Sequence, residues 1–231
     1  MTSWRNPLMA RLLKSDDPTQ PAVSSLTRLD AGDIEARESC ILGRPPRISP
    51  LPPQERSPEA MAVVTHIRRA VGAGDTDEMP EFFATMLHHP ALMEKQAALS
   101  AQFHHGFLSP RDRQLAILRT AWLCQAPYEW GQHVEVSKRM AGMSSEEIER
   151  VTLGSSAPEW SIHDKAVLRA VEELFEHANI SDETWDTLAQ TLNEAQLLEL
   201  PVLIGTYQTV AYLQNAVRCR LMDNHGGLSA R

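Results

Sequence analysis

The sequence predicts an all-α fold, on three observations. From Ser57 onward, helix-start signals recur with short connections between them. The apolar residues inside each segment fall at three- and four-residue spacings. No stretch alternates as a strand or carries a two-residue hairpin signal.

Residues 1–44 hold Pro, Ser, Asp and scattered apolar residues without a sustained period. They read as an arm, partly disordered or packed on a neighbouring subunit. Leu8, Leu12 and Leu13 are its candidates for a short helix. RPPRISPLPP, from Arg44 to Pro53, marks the boundary of a domain over residues 45–231. Its prolines forbid a continuous helix and favour an extended, ordered lead-in.

Ser57-Pro58-Glu59 is a helix start: a capping hydroxyl, proline at the first helical position, then an acid near the positive end of the dipole. That helix should run to about Val71, with Gly72 and Gly74 ending it. Pro80 opens a short helix through Phe82, Phe83 and Leu87, and Pro90 one carrying Leu92, Met93 and Leu99. Ser109-Pro110-Arg111-Asp112 repeats the start signal, with Asp112 in a capping-box position. Apolar residues cover most of the circumference of the helix that follows, so it should be central. Pro127 begins the next helix and Gly142 ends it.

Ser144 with Glu147, Ser161 with Asp164, Ser181, and Asn193 with Gln196 start four more helices. Pro201 lies inside the last and should kink it. The tail after Asn224 reads as loose. About eight helices are expected after residue 56.

The chain has 231 residues, 42% of them hydrophobic, enough for a sizeable core. A net charge of -8 without a dense Lys/Arg run argues against nucleic acid or an anionic membrane as partner. Cys40, Cys124 and Cys219 form no CxxC and no disulfide framework, which fits a reducing cytoplasm. The start, MTSWRNPLMARLLKSDD, lacks an apolar stretch of secretory length, and no segment is long enough to span a bilayer.

The chemistry concentrates between Arg111 and Gly142. Glu129 and His133 are four residues apart, so they share a helix face. A carboxylate beside an imidazole fixes the ring's tautomer and raises its basicity, the arrangement of an acid/base pair. The same spacing also makes solvated surface ion pairs. Tyr128 offers a phenol at about 100° from Glu129 on the helix. Arg113 and Arg119 are candidates to bind a carboxylate. Arg119 lies in an otherwise apolar run and needs a partner, either substrate or Glu129.

Trp122 and Trp130 read first as core or interface aromatics, with Trp130 kept as a candidate substrate contact. Tyr207 and Gln208 could face the site from the last helix, although core packing is the default for Tyr207. His88-His89 and His104-His105 are sequence neighbours that point about 100° apart, so neither pair makes a metal site. Cys124 reads as a buried small hydrophobe.

Several stretches, in order, carry a resemblance: FFATMLHHPAL, LSPRDRQLAILRTAWLCQAPYEWGQHV, GMSSEEIERV, APEW, ISDETWDTLA and LIGTYQTVAYLQNA. From about Pro45 to Leu221 the chain resembles the carboxymuconolactone decarboxylase family, which includes the alkylhydroperoxidase D-like proteins. The YEWxxH element is the most specific part. The resemblance implies a helical domain that assembles as a homo-oligomer, a trimer or a hexamer, with the site near a subunit interface. It also implies catalysis of aromatic or related catabolism without a metal or organic cofactor, on a small carboxylated or lactone-like substrate.

Two departures bear on activity. The peroxidase branch has a CxxC whose cysteines correspond to Ala126 and Glu129, and both sulfurs are missing here. An alkylhydroperoxidase-like antioxidant role therefore ranks last, since a two-thiol cycle needs an attacking and a resolving thiol. The family also has a glutamate where Gln114 stands, nineteen residues before His133. An amide cannot carry a proton as acid or base. The expected reading is a decarboxylase-like lyase or related isomerase. His133 is its acid/base, with Glu129 and Gln114 in the catalytic set and Tyr128, Arg119, Arg113 and Trp130 as substrate contacts. The alternative is a non-catalytic oligomeric scaffold or small-ligand binding protein.

Overall fold

The structure is a computed structural model that describes residues 29–70, 78–223 and 225–231. Ten α-helices and no strand occur among the described residues. They are α1 (Ala31–Ile41), α2 (Pro58–Ala70), α3 (Glu81–Met86), α4 (Pro90–His104), α5 (Pro110–Leu123), α6 (Pro127–Ala141), α7 (Ser145–Leu153), α8 (Ile162–His177), α9 (Asp182–Ala189) and α10 (Glu194–Val217). No helix among them is long and apolar enough to cross a membrane.

The start signals act as read. Ser109, Ser144, Ser161, Ser181 and Asn193 each accept a backbone N–H of the first turn they precede. Ser144/Glu147 and Asn193/Gln196 close full capping boxes. Asp112 does not: its carboxylate turns to His163 instead, 2.8 Å away, because an ionic partner is stronger than the backbone N–H it would have served. Pro201 lies inside α10, which continues on both sides of it.

Two expectations need correction. The first concerns the arm. Residues 1–28, with Leu8, Leu12 and Leu13, lie outside the described residues, as do Gly72 and Gly74. Within 29–44, however, an Asp30/Asp33 capping box starts α1, a helix that periodicity did not signal. Arg37 Nε donates to Gln125 O at 3.0 Å, and the Glu38 carboxylate accepts Leu228 N–H at 2.6 Å. The boundary segment is ordered too, with Arg47 N–H bonded to Val217 O at 2.9 Å, at the end of α10.

The second concerns the C-terminal segment, which is packed rather than loose. Leu228 is fully buried, and Trp130 Nε1 donates to Ala230 O at 3.0 Å. Arg231 pairs with Glu149 and lies over the rings of Trp122 and Trp130. Gly131 permits this approach, because a Cβ there would strike Gly226 O.

The main core joins α5 through α10 around Leu115, Leu118, Trp130, Leu168 and Leu203. A second cluster joins α2, α3 and α4 to Tyr128 and Val210. Every residue of α5 from Asp112 to Leu123 is buried, so this helix is the central one. Leu92 and Leu99 of α4 face solvent, whereas Met93 is buried.

Candidate functional site

A helix buried all round must place its polar side chains against partners inside the protein. On α5 these are Asp112, Arg113, Gln114, Arg119 and Thr120. At its end, Gln125 adopts a left-handed backbone (φ 47°), and the chain reverses into Pro127 at the first position of α6. The turn lays α6 along α5, which brings Glu129 and His133 against Gln114.

His133 is 7% exposed and has a polar side chain close to each ring nitrogen. Nδ1 is 2.9 Å from Gln114 Oε1 on α5. Nε2 is 3.2 Å from Glu129 Oε1, one turn earlier on α6. The other carboxylate oxygen, Oε2, accepts Gln214 Nε2–H from α10 at 2.6 Å. The Ser137 hydroxyl lies 2.6 Å from His133 O and 3.1 Å from Gln114 Oε1. Tyr207 meets the imidazole edge-on, with ring centroids 5.1 Å apart. Three helices thus converge on one imidazole, and both His133 and Glu129 are buried there.

The sequence anticipated His133, Glu129 and Gln114, and the fold brings these together. Arg113 is nearby: it is 6% exposed, follows Asp112 directly before Gln114, and its Nη1 donates to Phe103 O at 2.6 Å. Tyr207 reaches the site as well as the core.

Three candidates go elsewhere. Arg119, 1% exposed, pairs with Glu172 at 2.8 Å and donates to the carbonyls of Val151 and Thr152. The suggested partner Glu129 is taken by His133 and Gln214, and five residues along α5 rotate Arg119 well away from Gln114. Tyr128 packs among the apolar residues of the second cluster, against Phe82, and its hydroxyl has no hydrogen-bond partner there. Trp130 stacks near Trp122 and bonds to the C-terminal segment.

Sequence reasoning missed Gln214 and Ser137. The signal was present: Gln214 follows Tyr207 by two turns on one face of α10, and Ser137 follows His133 by one turn on α6. The electrostatics follow burial. Burial pushes the phenols of Tyr128 and Tyr207 up, helped by the Glu129 charge. Burial likewise pushes the Cys124 thiol up to about 12, so it stays a thiol at neutral pH. No cluster of three or more His, Cys, Asp or Glu able to hold a metal ion occurs among the described residues.

Residues 90–173 match the carboxymuconolactone decarboxylase family. Two solved structures share the fold. One is a protein of unknown function from Agrobacterium tumefaciens, provisionally described as the antioxidant defence protein AhpD. It is 20% identical with a TM-score of 0.55, covering 59% of this chain and 94% of that one. The other is the debrominase Bmp8 in its apo form, 14% identical with a TM-score of 0.56, covering 77% of this chain and 92% of that one. No curated protein matches this sequence significantly.

Proposed function

We propose that this chain, which belongs to the carboxymuconolactone decarboxylase family over residues 90–173, is a cofactor-independent lyase acting on a small carboxylated or lactone-like substrate. The observation that carries the reading is the buried His133, set between Glu129 and Gln114. A debrominase shares the fold, so the fold alone does not choose the reaction.

In decarboxylation of a carboxymuconolactone, the bond to the carboxylate carbon breaks and carbon dioxide leaves. The electron pair passes into the unsaturated lactone, which serves as the electron sink. A proton must then be delivered to the ring carbon. His133 is our proton donor, with Glu129 sharing and returning that proton. Gln114 orients the ring without exchanging a proton itself. Arg113 is our choice for the substrate's acidic group; Arg119 is not, because Glu172 occupies it.

One observation favours the binding-protein reading: both nitrogens of His133 already have partners inside the chain, so catalysis requires one of them to let go. The family resemblance also carries assembly as a trimer or hexamer. The face of α10 that leaves Leu198, Val202 and Tyr212 exposed is uncharged and suits a second copy; light scattering reads the assembly.

The test of function is ultraviolet-monitored turnover of γ-carboxymuconolactone by wild type, His133→Ala and Gln114→Glu, each checked for fold. Loss of turnover in His133→Ala alone supports the lyase. Wild-type rates in that variant sink it. Turnover appearing only in Gln114→Glu favours the binder.

A further inference from the structure

Arg113 is a buried cation without a counter-charge. No carboxylate among the described residues forms an ion pair with it. Its one recorded bond is to Phe103 O, at the C-terminal end of α4, and its buried Nε has no partner. The three other arginines of α5 and α8, Arg111, Arg119 and Arg169, all have carboxylates. One carbonyl dipole does not neutralise a guanidinium, and leaving it so is costly.

The residue after Phe103 is His104, exposed at the surface end of the same turn. The residue after Arg113 is Gln114, which holds His133. Arg113 thus ties the end of α4, where His104 faces solvent, to the position on α5 next to Gln114. We propose that His104 and Arg113 form the docking point for a carboxylate of the substrate at the mouth of the His133 site. This rests on the reading of His133 as the reacting centre.

The charges around His104 agree. Partial burial, then Arg113 of α5, His133 of α6 and the adjacent His105, hold its imidazole below the ordinary range. The acid packed against this turn from α10, Glu199, accepts Phe107 N–H on Oε2 at 2.7 Å and keeps its buried Oε1 without a hydrogen-bond partner. A carboxylate between His104 and Arg113 would supply the missing negative charge to both, and His104 would take up a proton as it binds. Affinity should then fall as pH rises.

The experiment uses succinate as the probe and succinamide as its neutral counterpart, with binding followed by calorimetry and the His104 resonance by NMR. Succinate is expected to bind wild type and move the His104 midpoint upward. Arg113→Gln and His104→Gln should each weaken binding about tenfold or more, and succinamide should not bind. Absence of succinate binding, equal binding of succinamide, or wild-type affinity in His104→Gln would overturn the proposal. His104 is exposed, so its variant keeps the test decisive should Arg113→Gln fail to fold. Succinate binding through these residues without lactone turnover would sink the lyase and keep this site. Lactone turnover indifferent to both substitutions would do the reverse.

Discussion

Gln114 Oε1 stands 2.9 Å from His133 Nδ1, with Glu129 on the ring's other nitrogen. An ionised carboxylate at Gln114's position could only accept a hydrogen bond. The amide can accept from an Nδ1–H or, turned over, donate to a bare Nδ1. It therefore serves either neutral tautomer and leaves Glu129 as the carboxylate in contact with the ring.

Glu129→Gln should separate chemistry from architecture. The amide can still bond Gln214 and His133, so the fold should survive. Proton exchange is lost, and turnover should fall on the order of a hundredfold. An unchanged kcat would reduce Glu129 to a structural partner.

Arg119→Met should do the opposite. It leaves the Glu172 carboxylate with only Ser155 among its present partners. The cost should be about 3 kcal/mol in urea unfolding, as for other broken buried pairs. If the chain turns over the lactone, the KM of the folded variant should not move, because Arg119 points to the carbonyls of Val151 and Thr152 rather than to His133. A raised KM would return Arg119 to the substrate.

Gly131→Ala should lift the C-terminal segment from α6, since the new methyl takes the place of Gly226 O. A loss on the order of 1–3 kcal/mol is expected, with a red-shifted tryptophan emission as Trp130 loses its cover. Unaltered emission would mean that the segment re-seats without cost.

The His163 imidazole bridges Asp112 and Thr191, each at 2.8 Å. Its bond to Asp112 raises the His163 pKa. Burial works to raise Asp112, but the bonds from His163 and Ser109 outweigh it and hold the carboxyl low. A raised imidazole stabilises the fold below about pH 6.5, and that contribution disappears as pH climbs through the folded value. A depressed carboxyl stabilises it above about pH 3.9, and that is lost as pH falls through its folded value. Wild type should thus exceed His163→Gln in stability most near pH 5, with the gap narrowing on both sides in urea titrations. A gap independent of pH would exclude the ionic bond.

The sequence by itself determined the helices from Ser57 onward, because caps and prolines act within one turn of their own position. It also placed Glu129 and His133 on one face, because helical spacing is local. The tertiary structure decided which distant groups meet them. Arg113 and Arg119 are the same residue type on one buried helix, yet only packing gives Glu172 to Arg119 and leaves Arg113 Nε without a partner. The α1 helix and the packed C-terminal segment were illegible for the same reason. They carry little periodic apolar surface, and what holds them is long-range: Glu38 on Leu228 N–H, and Gly131 making room for Gly226.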